Sequence, residues 1–417
     1  MIKQAAGTES FGATRVEAVE FLVVGCGPAG ASAAREAARA GVRTLVLERD
    51  AVVGRQRVCA AGLRPRFCEI FDLPRSLVHC DTPRLALFDA DGTEYEMFFG
   101  PGHTSTREEL DGTMAALAAR EGAEIRTRAL FRGIRREGGR LAVEYADLAA
   151  GERRVVRAET VFFAVGATAL LEDAVFGRVA MPAWRDGLIT TLQRRVYLER
   201  PAAAIAYETL ELHYYAGRDG RQIIAWMFPK RDHLAIGLGV LGKIPGQILR
   251  VELDAFVERV RARLYAGTRV LAVKPEGHLL YGGRARPRVA DDGVLVGGTA
   301  AGFVDATNGE GIFEAALSGR FAAEAVAGAR KGLQRASARY AALVHERFAR
   351  RLAHRVRLMR YLERYPRRFT RLFTQLARTP RLAEVLLKED CERTMSERIY
   401  MYSQALRFGA RTFACRD

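Results

Sequence analysis

The sequence predicts an α/β protein in which a parallel-sheet domain is interrupted by an antiparallel sheet and followed by a helical region. Three observations carry this prediction. From residue 21, an apolar run, a glycine-rich turn and an alanine-rich helix lead into a second apolar run, "VRTLVLERD". A second glycine-rich loop, "GGTAAGFVDATNGEGI" at 297–312, also lies between a buried run and a helix. The segment between them, 185–275, has strand-like alternation and few long helical patterns.

The composition is that of a globular protein, and 417 residues suffice for two or three structural units. The net charge of +16 would attract a phosphate ligand, a nucleic acid or an anionic membrane, although an arginine-rich coding bias explains it equally well. No nucleic-acid recognition motif accompanies the charge, so we predict no nucleic-acid partner. The six cysteines lack zinc-ligand spacing, which predicts no metal site and a reducing, cytoplasmic compartment.

The order of the elements suggests the domain division. Residues 1–20 are polar, lack the apolar stretch of a signal peptide and are assigned to a flexible tail. We assign 21–170 and 275–332 to the parallel-sheet domain, with a helix at 107–120 and a hairpin at 81–100 that contributes to the substrate side. Residues 171–274 form the antiparallel substrate-binding sheet, and 333–417 form the C-terminal helical region.

The first glycine-rich turn has the spacing of a dinucleotide-binding loop. Gly25, Gly27 and Gly30 form GxGxxG between a strand and a helix: the first permits the tight turn, the second admits a pyrophosphate, and the third lets the helix pack on the strand. Glu48 follows at the end of the second strand, where an acid accepts hydrogen bonds from ribose hydroxyls and disfavours a 2′-phosphate. The domain is therefore predicted to be Rossmann-like and to bind FAD or NAD.

A second GxGxxG, at Gly237, Gly239 and Gly242, is predicted to be a strand edge without a ligand. Pro245 in the following "KIPGQ" would interrupt a helix aimed at phosphate. One dinucleotide site is expected.

Together, "GCGPAG", Glu48, Arg107 and "GGTAAGFVDATNGEGIFEAALSGR" resemble the geranylgeranyl reductase family of FAD-dependent flavoproteins, within the p-hydroxybenzoate-hydroxylase-like fold group. The resemblance spans about residues 21–330. "VCAAGL" at 58–63 resembles the loop beside the flavin ring, and "AWMFPK" at 225–230 resembles the family's YxWxFP substrate-domain motif. The resemblance implies catalytic positions at Cys59, Trp226 and Phe228. It implies FAD contacts from Gly25, Gly27, Ala29, Gly30, Glu48, Arg49, Cys59, Ala61, Gly62, Arg107, Gly298, Ala301, Gly302, Gly309, Gly311 and Ile312.

Three positions depart from the family pattern. Gly298 replaces the aspartate that binds a ribityl hydroxyl, Val165 replaces an acid at a strand end, and Ile224 replaces the tyrosine of YxWxFP. Losing one charged hydrogen bond costs about 1.5–3 kcal/mol, so FAD is expected to bind less tightly by about one to two decades. Asp305 or Thr299 is expected to compensate.

The resemblance implies reduction of isolated C=C bonds in a prenyl chain, with reduced ferredoxin or NAD(P)H as the electron donor. An unactivated alkene must be held against the flavin in an apolar tunnel, for which the sequence offers Tyr214, Tyr215, Trp226 and Phe228. Cys59 is the first candidate proton donor and His213 the second. Residues 341–380 hold eleven arginines and two glutamates among apolar residues, which predicts peripheral membrane contact at the inner face or, alternatively, a solvated helix face.

Two other functions stay open at this point. One is a different flavoenzyme of the same fold, a monooxygenase or a halogenase, although the halogenase motif WxWxIP is not met at Ile224 and Phe228. The other is a flavin-binding or lipid-binding protein without turnover, suggested by Gly298 and Val165.

Overall fold

The architecture was obtained as a computed structural model. It describes residues 17–55, 59–89, 91–167, 187–206, 208–241, 244–330, 332, 335–365, 371, 375, 378–387 and 393–413. Most of the predicted tail, the predicted start of the substrate sheet at 171–186, and Gly242 lie outside these residues.

The first sheet has a parallel centre. Its strands are β1 (Glu17–Val24), β2 (Thr44–Leu47), β6 (Glu124–Arg126), β7 (Ala129–Glu137), β8 (Arg140–Asp147), β9 (Glu152–Phe163), β15 (Ala290–Asp291) and β16 (Val294–Val296). Strand order is β15-β16-β9-β1-β2-β6, and β9, β1, β2 and β6 pair in parallel while β7, β8 and β9 form an antiparallel meander.

Strand β1 starts earlier than predicted. Residues 17–20, assigned to the tail, belong to the sheet, because Glu17 and Ala18 pair with Val156 and Arg157 of β9. The sequence did not reveal this extension because residues 17–20 include two glutamates. The end of a strand that projects beyond the core does not need a continuous run of apolar side chains.

The three helices predicted individually, after each glycine-rich loop and at 107–120, are present at Pro28–Arg39, Ile312–Arg330 and Arg107–Arg120, whereas the helix Gly246–Val260 was not predicted. Pro28 stands at the start of the first helix, and Thr106 caps the third by accepting a hydrogen bond from the Glu109 amide at 3.3 Å. In chain order the helices are α1 (Pro28–Arg39), α2 (Phe67–Ile70), α3 (Arg107–Arg120), α4 (Ala202–Ala206), α5 (Gly246–Val260), α6 (Ile312–Arg330), α7 (Ala336–Val344), α8 (Arg350–Arg364), α9 (Pro380–Leu387) and α10 (Met395–Phe413).

The second sheet is mostly antiparallel, in the order β14-β10-β13-β12-β11-β4-β5-β3, with β11 and β4 parallel. The predicted hairpin at 81–100 is present as β4 and β5 and belongs to this sheet. The boundary predicted at 275 falls inside β14, which pairs with β10 along its length and therefore belongs to the second sheet as a whole. The strands are β3 (Gly62–Leu63), β4 (Cys80–Phe88), β5 (Glu94–Thr104), β10 (Leu188–Leu198), β11 (Thr209–Ala216), β12 (Gln222–Pro229), β13 (His233–Leu241) and β14 (Val270–Tyr281).

Two local expectations in this sheet were wrong. Pro245 does not interrupt a helix but stands directly before α5, whose apolar side buries Leu249, Leu253 and Phe256. Proline is compatible with a helix start because the first amides have no intrahelical partner. Gly237 and Gly239 lie in β13, which has partners on both sides and is not an edge.

The basic helix α8 turns its apolar side inward. Leu352, Val356 and Met359 are buried, and Val356 and Met359 pack with Leu87 and Tyr214 of the second sheet. Its outward side carries exposed arginines and one exposed histidine: Arg350, Arg357, Arg360, Arg364 and His354. The sequence allowed either membrane contact or a solvated helix face for this region. For α8, the packing of its apolar side on the second sheet supports the solvated helix face. None of the helices within the described ranges is long and apolar enough to cross a bilayer.

Candidate functional site

A cavity of about 980 Å³ opens at the carboxyl ends of the parallel strands and is also lined by the second sheet. This edge is where open α/β sheets bind ligands. Of the predicted site residues, those that line the cavity are Gly25, Gly27, Ala29, Glu48, Arg49, Cys59, Ala61, Gly62, Arg107, Trp226, Phe228, Gly298, Gly309, Gly311 and Ile312.

The first glycine-rich loop forms one end of the cavity. Gly25 has φ +95°, and a Cβ there would lie 2.6 Å from the Ala164 carbonyl oxygen, so the turn needs glycine. Gly27 precedes α1, and no side chain caps that helix. The first amides of α1 are therefore left for an anion in the cavity. Gly30 does not line the cavity; a Cβ on it would lie 1.9 Å from the Gly25 carbonyl oxygen, in keeping with the packing role predicted for the third glycine.

Glu48 is buried beside this loop. Its Oε2 accepts a hydrogen bond from the Cys26 amide at 2.8 Å, and its Oε1 accepts one from the Asp50 amide at 3.0 Å. Each carboxylate oxygen accepts more than one hydrogen bond, so both retain capacity for hydroxyl donors in the cavity. Arg49 is exposed and pairs with Asp50, with the charged atoms 3.6 Å apart.

Arg107 crosses from α3 to the cavity. Its Nε and Nη2 donate to both carboxylate oxygens of Asp111, at 2.8 and 2.6 Å. Burial opposes the charge of Arg107, but Asp111 and then Cys59 raise its pKa above the ordinary value. The guanidinium is therefore a fixed cation whose plane is set by a bidentate partner.

The predicted ring-side loop, 59–62, lies against the second sheet. The Cys59 thiol accepts a hydrogen bond from the Ala61 amide at 3.3 Å, and Ala61 has φ +44°. A Cβ on Gly62 would lie 2.6 Å from the Phe228 ring, so glycine permits the close approach of loop and strand. Cys59 and Phe228 thus face one region of the cavity.

Lys230 contacts this loop from the second sheet. It lies in the motif "AWMFPK", but it was assigned no role from the sequence. Its side chain is buried, and Nζ donates to the Ala60 carbonyl oxygen. Burial lowers the pKa of Lys230 to about 7, with Cys59 and Cys80 opposing the shift. A lysine next to an FP pair has no recognisable spacing signal, since its importance comes only from tertiary contact.

The second glycine-rich loop also lines the cavity, close to the start of α1. Gly298 has φ +56°, and a Cβ there would lie 3.1 Å from Ala29 Cβ and 3.3 Å from Ala315 Cβ, at the junction of α1 and α6. Ala301 and Gly302 do not line the cavity. Ala301 is fully buried, and Gly302 has φ +81° at the end of a short 3₁₀ turn. Both residues therefore support the conformation of the loop and do not contact the ligand space.

Of the two residues expected to compensate for Gly298, only Thr299 lines the cavity. Asp305 turns away, and its Oδ1 accepts hydrogen bonds from the Thr307 amide at 2.9 Å and hydroxyl at 2.5 Å. Burial opposes the charge of Asp305, yet Arg355 and Thr307 lower its pKa. This acid therefore stabilises the loop and does not reach the ligand space.

The substrate end of the cavity is apolar, but only part of the predicted aromatic wall reaches it. Trp226 and Phe228 line the cavity, whereas Tyr214, Tyr215 and His213 do not. Tyr214 packs beneath α8, and His213 stacks on Phe88 with ring centroids 4.1 Å apart. The remaining apolar lining consists mainly of leucines, which are Leu63, Leu85, Leu210, Leu212, Leu279 and Leu280.

Trp226 is fixed by a chain of polar side chains that begins with Gln193, which also lines the cavity. Its Nε1 donates to Gln193 Oε1 at 3.0 Å, and Gln193 Nε2 donates to Glu276 at 2.8 Å. The ring lies over Gly237, where a Cβ would come within 2.4 Å of it. The second glycine motif therefore makes room for this indole, which the sequence did not reveal.

A buried ion network joins the ring-side loop to the second glycine-rich loop and the C-terminal helices. Arg64 contacts Glu310 and donates to Glu314 at 2.6 Å, and Arg351 of α8 donates to the same oxygen of Glu314 at 2.7 Å. Burial raises the pKa of Glu310, Arg64 opposes this and Glu314 adds to it. Arg64 and Glu310 line the cavity and were not among the predicted site residues, because a lone charge beside a motif has no spacing signature.

The donor set fits an extended dinucleotide. The open start of α1, the buried carboxylate of Glu48 and the fixed cation of Arg107 lie along one cavity and match a pyrophosphate, a ribose and a second anionic contact. Val165 also lines the cavity and supplies no acid.

Comparison with known proteins agrees with this fit. Residues 18–171 match the FAD binding domain family. Digeranylgeranylglycerophospholipid reductase 1 of Methanopyrus kandleri is 33% identical over 321 residues, covering 73% of this chain and 79% of that protein. Geranylgeranyl diphosphate reductase of Rhodobacter capsulatus is 28% identical over 312 residues, covering 73% of this chain and 74% of that protein.

Solved structures share the fold. A geranylgeranyl bacteriochlorophyll reductase-like protein from Thermoplasma acidophilum superposes with a TM-score of 0.71 at 22% identity, covering 96% of this chain and 97% of that chain. A flavin-dependent brominase gives 0.68 at 18% identity, covering 94% and 99%. The predicted Rossmann-like fold and the FAD cofactor are confirmed. The chain belongs to the geranylgeranyl reductase family of FAD-dependent oxidoreductases.

Proposed function

We propose that this protein reduces isolated C=C bonds of a geranylgeranyl-type chain, carried by a prenyl lipid, a prenyl diphosphate or a chlorophyll-type ester. The observation that carries the proposal is that one cavity joins the dinucleotide loop to a leucine-rich wall on the second sheet. Burying an alkyl chain against such a wall contributes about 0.8 kcal/mol per CH₂, so a long chain binds without polar anchors.

The cofactor end of the cavity has donors for each part of FAD. In our assignment the Gly25–Gly27 turn and the start of α1 would hold the pyrophosphate, Glu48 would accept from the adenosine ribose, and Arg107 would brace the pyrophosphate or the ribityl chain. Bound FAD in its reduced state supplies a hydride from N5. Reduced ferredoxin or NAD(P)H is the proposed source of electrons.

The chain's own residues then orient the alkene and supply the proton. Trp226 is fixed by its hydrogen bond to Gln193, Phe228 packs closely against Gly62, and in our proposal both rings exclude water from the reacting bond. The Cys59 thiol lines the same region and is the proposed donor of the proton to the second alkene carbon. His213, the second candidate, is stacked on Phe88 outside the cavity, where its ring does not line the space for the alkene.

The test is product analysis with a charge placed in the leucine wall. FAD-loaded, dithionite-reduced protein is incubated without oxygen with geranylgeranyl diphosphate or a digeranylgeranyl glycerophospholipid, and products are examined by mass spectrometry. We expect products with two added hydrogens per reduced bond, no product from Leu212→Arg, and unchanged product from the exposed control Leu148→Arg.

Other outcomes would favour the competing functions. Bound FAD without any reduced product would favour a non-catalytic flavin-binding or lipid-binding protein. Oxygen consumption with a hydroxylated or halogenated product would favour a different flavoenzyme of this fold.

A further inference from the structure

Helix α10 presents an apolar stripe to solvent. Met395, Ile399, Tyr402 and Leu406 are 73, 63, 66 and 77% exposed. Their spacing of four, three and four residues puts them on one face of the helix. Among large hydrophobic side chains elsewhere in the described ranges, none exceeds the 56% exposure of Leu271.

The opposite side of α10 faces the protein. Arg381 of α9 lies over the Tyr400 ring, with its guanidinium carbon 4.8 Å from the ring centroid. Arg393, just before α10, donates to the Val385 carbonyl oxygen of α9 at 2.7 Å. The usual orientation of a surface helix, apolar side inward, is therefore reversed, and such exposed stripes mark interaction surfaces.

We propose that this stripe docks on an anionic lipid surface. The exposed residues beside the stripe include Arg398 and Arg407, and the only acid of α10, Glu397, lies on the opposite side, where it caps the Thr394 amide at 2.8 Å. An apolar stripe flanked by arginines is the pattern of helices that lie in a membrane interface. Helix α9, which packs against α10, contributes Glu384 to the cavity lining. The helix that carries the stripe therefore adjoins a helix that lines the cavity.

A second copy of the chain fits this surface less well. Four side chains on one helix offer far less than the ~800 Å² per partner of a stable interface. Pairing two stripes would also bring Arg398 and Arg407 of both copies together, and like charges across an interface are unfavourable. The choice of lipid as the partner rests in part on the proposed function. The exposure of the stripe is a structural observation that is independent of that function.

The experiment is flotation of the FAD-loaded protein with vesicles of phosphatidylcholine alone or mixed with phosphatidylglycerol. We expect strong partition onto the mixed vesicles that falls with added salt, and a loss of about tenfold or more in Ile399→Ser/Leu406→Ser. Arg398→Gln/Arg407→Gln should lose the preference for anionic vesicles. Leu148→Ser/Leu271→Ser, which removes two exposed leucines elsewhere, is the matched control and should partition as the wild type does.

Three results would overturn the proposal: no flotation of the wild type, equal flotation of the Ile399→Ser/Leu406→Ser variant, or a wild-type dimer in light scattering that this variant abolishes. Retained FAD absorbance and far-ultraviolet circular dichroism show that the variants are folded. Because flotation needs no turnover, failure of prenyl reduction leaves this test intact.

Discussion

The buried side-chain nitrogen of Lys230 donates a hydrogen bond to the carbonyl oxygen of Ala60. This contact joins the end of β12 to the ring-side loop, which carries Cys59 and packs through Gly62 on Phe228. One side chain therefore ties together the two motifs that the proposed chemistry uses.

Replacing Lys230 by Met should loosen the ring-side loop. The half-buried Ala60 carbonyl would lose its donor, and misplacement of a reacting group by about 1 Å can cost ~100-fold in rate. We expect at least a tenfold fall in prenyl reduction with FAD still bound. Lys274→Met, on the exposed side of β14, should retain wild-type activity, and equal activity of both variants would contradict the tether.

Lys230 should also make stability depend on pH. Burial lowers its pKa to about 7 in the folded protein, from 10.5. Between these values the unfolded chain binds the proton and the folded chain does not, so this group's contribution to the free energy of unfolding rises with pH. The slope is at most about 1.4 kcal/mol per pH unit.

Urea unfolding at pH 6 and pH 9 tests this dependence. The wild type should gain stability relative to Lys230→Met on going from pH 6 to pH 9, whereas the difference from Lys274→Met should stay constant. Parallel pH profiles of the wild type and Lys230→Met would show that Lys230 does not titrate in this range.

Glu48→Gln should weaken FAD binding. The amide keeps one acceptor oxygen but replaces the other by a donor, which would face the Cys26 or Asp50 amide. Losing a charged hydrogen bond costs about 1.5–3 kcal/mol, so the Kd for FAD should rise about ten- to a hundredfold. Flavin fluorescence titration measures it, with Glu159→Gln on the exposed side of β9 as the control; an unchanged Kd would remove Glu48 from the cofactor site.

Arg351→Met should destabilise the fold. Glu314 is fully buried and accepts from Arg351 and Arg64, so removing one partner leaves a poorly compensated buried charge, at a cost of about 3–5 kcal/mol. Arg339→Met breaks an exposed pair with Glu324, for which about 0–1 kcal/mol is expected. Equal unfolding midpoints of the two variants would show that the network does not hold α8 to α6.

Much of the cofactor end could be predicted because its spacing follows from local chemistry. A glycine turn before a helix, and an acid at the next strand end, must lie at fixed separations, so Gly25, Gly27 and Glu48 were found from sequence. Gly298 was noticed as a departure, but its left-handed φ and its place between Ala29 and Ala315 needed the fold.

The substrate end was predicted less completely because it is built by distant segments. Trp226 and Phe228 were found through a motif, whereas the leucines of the wall come from four different strands and share no pattern. Tyr214 and Tyr215 were expected in the wall, but α8 and α5 cover those positions instead. Lys230 and Arg64 act through contacts with residues far away in the sequence. A local sequence pattern cannot reveal such contacts.

The central claim is that the cavity binds FAD and passes hydride to a prenyl chain. The most direct measurement is the visible absorbance spectrum of the purified protein with FAD, first reduced by dithionite without oxygen and then mixed with a geranylgeranyl compound. We predict a flavin spectrum that bleaches on reduction and returns on addition of the prenyl compound. A bleached spectrum that no prenyl compound restores, or no bound flavin even with excess FAD, would contradict the claim.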